Sequence, residues 1–326
     1  MKSTITGLLM GVVVLLLAAP LSGQVQQAGK VARLGVLMFG VPEADPNITA
    51  FRQGLSELGY VEGKNLTTTY RYAEAKPERL AGLASELVAL KPDVILALGG
   101  DVAPFAKAAT STIPIVAATS NDPVQAGLVA SLAKPGGNLT GVTFVSSELA
   151  AKRLQFLKQA APAISRVAVL WNPDHVDPEY RETHAAGKLL GIRVQSLEVR
   201  GPADFDAAFH AAAAERAEAI VVVSSRLTTI NRQRILDLAA RRRLAVVASW
   251  GPWVETGALL SYGPDLNVMV RRTATFVDRI LKGANPADLS VEQPTKFDLF
   301  INLKTARALG LTIPASLQLQ AAQLVE

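Results

Sequence analysis

The chain has no cysteine. That excludes disulfides, thiolate metal sites and cysteine nucleophiles, and it removes the lipid-attached cysteine of an exported lipoprotein. Histidine is scarce, with three residues (His175, His184 and His210), and so is tryptophan, with three (Trp171, Trp250 and Trp253). His175 and His184 are badly spaced for one helix face and no carboxylate cluster completes a metal set, so all three histidines read as surface residues. No GxGxxG follows the first strand and no GxSxG elbow occurs, which leaves a dinucleotide site and a serine hydrolase without their fingerprints. No catalytic apparatus, cofactor or metal is expected. Past the N-terminus, no apolar run approaches membrane-spanning length, so no direct membrane insertion is expected.

What is present is a globular composition, 49% apolar and 19% charged, in 326 residues. That length suits two cores better than one. The N-terminus reads as a secretory signal over 1–23: Lys2 is the positive region, Leu8–Ala19 the apolar stretch, and small residues follow, with cleavage after Gly23 or alternatively Ala28. Lys2 is the only charge in that segment, so the mature chain carries one less than the formal +5. The basic residues are scattered except for Arg241-Arg242-Arg243, where a helix C-terminus explains them better than nucleic acid does. The expected protein is periplasmic, without lipid and monomeric.

The segment from Ala84 to Pro123 carries the organising pattern. Two short β-branched runs, Asp93–Leu98 and Pro114–Ala118, break into polar turns at Gly99-Gly100-Asp101 and Thr119-Ser120-Asn121-Asp122-Pro123, each followed by a helical run. Strand, turn and helix in alternation indicate a parallel sheet with crossover helices. Ligands of such sheets sit beyond the carboxyl ends of the strands, beside helix N-termini.

Around this lie a first strand at Val31–Phe39, a turn from Gly40 to Pro46 that opens over the crevice, a helix at Ile48–Leu58, a strand at Asn65–Arg71, a helix from Pro77 and a strand at Leu139–Phe144. The pattern then repeats. Strands are expected at Val167–Trp171, Ile192–Val199, Ala219–Val223 and Leu244–Ala248. Helices are expected at Ala151–Ala160, Pro178 to Leu190, from Asp204 as its cap, and Thr229–Arg242. Gly257–Asp265 reads as a passage between lobes, Leu266–Leu281 as a helix, Pro294–Leu303 as a strand, and Pro314–Glu326 as a loose tail. The architecture, α/β with two doubly wound parallel-sheet lobes, is a duplication of layout rather than of sequence.

Several segments together carry a family: FRQGLSELGYVEGKNL, KPDVILALGG, TSTIPIVAATSNDPV, GLVASLAKPGGNLTGVT, RVAVLWNP, LLSYGPD and QPTKFDLFINLKTARALGLTIP. They resemble the ABC transporter substrate-binding proteins of the tryptophan/tyrosine type, from about Arg33 to Pro314. The resemblance implies a type I periplasmic binding fold, a hinge of three crossovers, an inner-membrane ABC permease as partner, and an aromatic or related amino acid as ligand. The first lobe is expected at 31–143 plus about 264–290, the second at 144–263 plus about 291–326. One departure is notable: where many members read Gly-Thr-Pro, this chain has Gly99-Gly100-Asp101, which places an acid at a helix start.

The candidate ligand-binding residues follow from strand ends and turns: Gly40, Gly100, Asp101, Ser120, Asn121, Asp122, Asn172, Ser224, Ser225, Trp250, Tyr262 and Asp265. Each has a blander reading. Ser120, Asn121 and Asp122 are preferred capping residues, and one turn can both cap a helix and hold an anion. Asp101 divides evenly between a cap and a contact to a ligand ammonium. For Asp265 a cap at Leu266 is the stronger reading. Trp250 at a strand end offers an aromatic face to a ligand, whereas Trp171 reads as core, with Asn172 the better contact. The function expected is capture of a small molecule by an importer's binding component. An exported α/β enzyme is the main alternative, and a ligand-sensing receptor component another.

Overall fold

The computed structural model describes residues 31–40, 46–74, 76–99, 101–120, 122–144, 148–175 and 177–326. The signal segment 1–23, Gly100 and Asn121 lie outside the described residues. The first half runs β1 (Ala32–Met38), α1 (Pro46–Glu57), β2 (Leu66–Tyr72), α2 (Leu80–Ala89), β3 (Val94–Leu98), α3 (Ala103–Ala109), β4 (Ile115–Thr119) and β5 (Leu139–Thr143). Next come α4 (Glu148–Ala160), β6 (Arg166–Trp171), α5 (Glu179–Leu190), β7 (Arg193–Glu198), α6 (Asp204–Ala214), β8 (Ala219–Val222), α7 (Arg226–Ile230) and α8 (Arg232–Arg241). The chain closes with β9 (Ala245–Ala248), α9 (Gly251–Glu255), β10 (Leu260–Gly263), α10 (Leu266–Leu281), β11 (Asp298–Asn302), α11 (Leu303–Leu309), α12 (Ala315–Gln318) and β12 (Gln323–Val325).

Two α/β lobes result. The first sheet has the order β2-β1-β3-β4-β5, all parallel, and the second β12-β11-β10-β9-β8-β6-β7, parallel except for the β10–β11 pair. From β7 to β10 the second sheet repeats the strand order of the first. The central strands bury both faces, which is why β3, β8 and β9 read as continuous apolar runs rather than alternating ones, while the edge strands β2, β7 and β12 stay partly exposed. In the first lobe Leu34, Val36, Leu96 and Val116 face α1 and α10, while Leu37, Ile95 and Ala117 face α2 and α3. The second lobe divides the same way: Val167, Val169 and Val221 pack under α4 and α5, and Ala168, Leu170 and Ile220 under α6 and α8. In β5, Gly141 adopts φ +133°, and a Cβ there would lie 2.1 Å from the Ala117 carbonyl oxygen, so no larger residue fits this close pairing. The chain passes between the sheets after β5, at Gly263–Asp265 between β10 and α10, and again before β11.

Five expectations need correction. The run after Asp122 is not a helix: Leu128 and Val129 both donate their N–H to the Pro123 carbonyl, and Gly127 takes φ +67°, so the chain curls into turns. The expected helix at Thr229–Arg242 is split into α7 and α8 at Asn231, whose side-chain amide donates to the Leu227 carbonyl and competes with the helical ladder. The passage Gly257–Asp265 contains a full strand, β10, and the loose tail contributes β12 to the sheet edge along β11. Asp204 does not cap α6 from the N-cap position; it is the first helical residue, and its carboxylate accepts from the Arg200 and Gly201 N–H groups.

Candidate functional site: the crevice between the lobes

Strand order reverses once in each lobe, between β1 and β3 in the first and between β6 and β8 in the second. Loops leaving such a switch point diverge to opposite faces of the sheet and open a crevice at its carboxyl edge. Here the two crevices face each other. Arg226, just after β8, lays its guanidinium 3.7 Å from the ring centroid of Phe39, just after β1. A Cβ on Gly99, just after β3, would stand 2.9 Å from Arg226 Nη1, and Gly99 sits at φ +118°, where L side chains are strained. Glycine there gives the arginine its berth. His175, in the turn after β6, places Nδ1 2.7 Å from Asp101 Oδ1, in the turn after β3. At the rim Arg181 Nη2 donates to Gln125 Oε1 at 3.1 Å. The lobes are closed on each other.

Behind the turn after β6 lies a buried polar cluster. Arg153 of α4 is only 4% exposed; it pairs with Glu179 of α5 and donates Nε–H to the Tyr262 carbonyl at 2.8 Å, tying the hinge side of the second lobe together. Asp177 Oδ1 accepts the Glu179 N–H at 2.7 Å, and its other oxygen stands 4.0 Å from His175 Nε2. Burial first, and then the neighbouring Glu179 charge, push the Asp177 carboxyl up to about 7, against the pull of His175 and Arg153. His175 is buried at 3% exposure, contrary to the surface position expected of it. Burial alone would lower its pKa; hydrogen bonding and charge from Asp101, the charge of Asp177 and the Ser120 backbone outweigh that and raise it above 6.5. Its Nε2 has no hydrogen-bond partner among the described residues.

Of the sequence candidates, Asp101 and Ser120 meet at His175. Gly40 lies half-buried at the mouth, its carbonyl accepting from Glu74 N–H. Asn172 shapes the turn that presents His175, through Oδ1 to the Asp174 N–H and its carbonyl to the His175 N–H. Ser224 and Ser225 are both buried, and Ser225 forms a reciprocal capping box with Thr228 at the start of α7. The Asp122 carboxylate accepts the Val124 and Gln125 N–H groups of its own turn, and that of Asp265 caps α10 through Asn267 and Val268. Trp250 precedes α9 and meets Phe144 edge-on at 6.3 Å. The Tyr262 ring turns toward Phe156 and Phe297, and Trp171 stacks on Tyr180 with its indole N–H on Ser196.

Four residues at the centre were not among the candidate ligand-binding residues: Phe39, Asp177 and Arg226 drew no attention, and His175 read as a surface residue. Their signal was positional. Phe39 follows β1 directly, His175 and Asp177 lie between β6 and α5, and Arg226 opens α7 shortly after β8.

A crevice framed by two facing switch points, closed by contacts from both sides, defines a two-lobed binding protein of the type I periplasmic class. The chain belongs to the ABC transporter substrate binding protein family, whose model matches residues 38–325. It is similar to a tyrosine-binding protein of Clostridioides difficile (strain R20291), 26% identical over 273 residues, 83% of this chain and 78% of that protein. A conserved domain protein from Vibrio cholerae is similar in structure with a TM-score of 0.84 and 29% identity, covering 90% of this chain and 100% of that one. An ABC domain in complex with L-Trp from Streptococcus pneumonia matches with a TM-score of 0.84 and 25% identity, over 90% of this chain and 99% of that one. Among the described residues no helix is long and apolar enough to cross a membrane.

Proposed function

We propose that this chain is the exported binding component of an ABC importer, closing its lobes on one amino acid with an apolar or aromatic side chain and delivering it to an inner-membrane permease. The observation that carries this reading is the meeting of the two switch points, Arg226 on Phe39 and His175 on Asp101. Such contacts form only when the lobes approach, so closure and capture are one event. The moving bodies are 31–143 with about 264–290, and 144–263 with about 291–326. Gly40, Asp101, Ser120, Asn172, Ser224 and Trp250 border the ligand. Ser225, Asp122, Tyr262 and Asp265 hold the turns and the hinge around it. Aromatic rings at Phe39, Phe144 and Trp250 suit an apolar side chain, and paired charges suit a zwitterion. The tyrosine-binding relative and the neighbour holding L-Trp support the same ligand class. The ligand leaves unchanged, because the protein is a carrier and not an enzyme. The segment 1–23 directs it to the periplasm, where it stays soluble without a lipid.

Mass spectrometry of the compound released from the purified protein by mild denaturation tests this. An unmodified amino acid is expected at one per chain. A sugar, or a chemically altered product, would overturn the reading.

A further inference from the structure

We infer that Asp177 and His175 Nε2 form the subsite for the ligand's ammonium group. This rests on the amino-acid reading above and assigns to it two residues on one turn of the second lobe. Above its raised pKa the His175 ring is neutral, and with Nδ1–H given to the Asp101 carboxylate its Nε2 is then a bare acceptor. That nitrogen is buried, and no hydrogen-bond donor reaches it among the described residues. The carboxylate beside it has spent one oxygen on the Glu179 N–H, and the other stands 4.0 Å from Nε2, too far for a direct bond. A nitrogen set about 2 Å to the side of the line joining them reaches both at about 2.9 Å, an ordinary charge-assisted length. The Ser120 backbone, on the opposite lobe, also faces this ring. An ammonium brings three donors and one positive charge to a place that offers acceptors and a poorly solvated acid.

This also gives Asp101 a purpose. It does not touch the ammonium itself; it fixes the tautomer that turns an acceptor toward it, and it does so from the first lobe, so the subsite is complete only after closure. The groups facing Asp177 are His175 in its own turn, Glu179 from α5 and Arg153 from α4, with Asp101 acting from the first lobe through the imidazole. Acid protonates Asp177 and fills the Nε2 lone pair, and both changes oppose a cation. Affinity therefore falls as pH drops below neutrality.

Calorimetry with the mature protein tests the assignment, using L-tryptophan and L-tyrosine against their des-amino counterparts, 3-indolepropionate and 3-(4-hydroxyphenyl)propionate. The wild type is expected to prefer the better-bound amino acid over its des-amino acid by about ten- to a hundredfold. Asp177→Asn should erase most of that preference while binding the des-amino acid as the wild type does, and should flatten the decline in affinity between pH 8 and 5.5. His175→Gln should reduce the preference as well. A preference unchanged in both variants, or absent in the wild type, overturns the subsite and leaves the amino-acid reading standing. Equal loss of both ligands in Asp177→Asn marks a structural role and also overturns it. If the wild type binds no amino acid, the functional reading fails and the subsite with it.

Discussion

Asp101 and His175 belong to opposite lobes, yet their side chains meet at 2.7 Å in a place where the imidazole is 3% exposed. Two loops, one after β3 and one after β6, thereby share a single hydrogen bond across the crevice. Asp101 therefore does more than sit at a helix start: its carboxylate reaches the opposite lobe. It is half of the bridge.

That bridge has a spectroscopic consequence. Asp101 is the chief group holding the His175 pKa above 6.5 against burial, which acts the other way. In Asp101→Asn the desolvation cost remains and its main opponent is gone, so the His175 midpoint should fall. With three histidines in the chain, NMR titration of the ring protons, assigned through His175→Gln, resolves it. An unchanged midpoint would mean the bridge does not form in solution.

Stability should depend on pH through Asp177. Its folded value of about 7 exceeds the ordinary 3.8, so between those limits the folded chain binds more protons than the unfolded one. Stability then falls as pH rises through that window. His175 acts in the same sense, since a raised imidazole stabilises below its unfolded value and loses that contribution as pH passes its folded one. Asp177→Asn removes the larger acid contribution. Its melting temperature should exceed that of the wild type at pH 8 and converge on it only as pH falls toward the ordinary 3.8, at about 2–4 °C per kcal/mol recovered. Parallel pH profiles would show that Asp177 is well solvated.

Gly99→Ala probes the arginine berth. The substitution combines a strained φ of +118° with a methyl group 2.9 Å from Arg226 Nη1. Backbone strain alone should cost about 1–3 kcal/mol. Displacing Arg226 from Phe39 should also weaken ligand binding, whereas His184→Ala, away from the crevice contacts, should not. Wild-type affinity in Gly99→Ala would argue that Arg226 does not participate in closure.

Much of this architecture was legible because apolar runs of strand length end in small polar residues, and a doubly wound sheet requires both features at every strand. Leu266–Leu281 was readable to the residue, since Asp265 caps it and Gly283 follows its end. The run after Asp122 misled because Pro123 at a turn start looks like the first residue of a helix, while Gly127 reverses the chain within a turn. The strand β10 was hidden in a segment with two glycines and a proline, and β12 in a terminal stretch whose partner, β11, can only be known from the fold. In the site, several of the candidate side chains are already engaged by the turns that carry them. Asp122, Ser225 and Asp265 have the side chains that bind well, and for that reason their own backbones use them. Phe39 and Arg226 look ordinary in sequence and matter because two separate strand ends bring them together.

The central claim is capture of an amino acid between the lobes, and calorimetry of the ligand-stripped mature protein against the common amino acids and a set of neutral sugars tests it most directly. One aromatic or apolar amino acid is expected to bind at one site per chain, and at a hundredfold excess over its Kd to stabilise the protein by about 2.7 kcal/mol. Saturable binding of a sugar with no response to any amino acid would contradict the account.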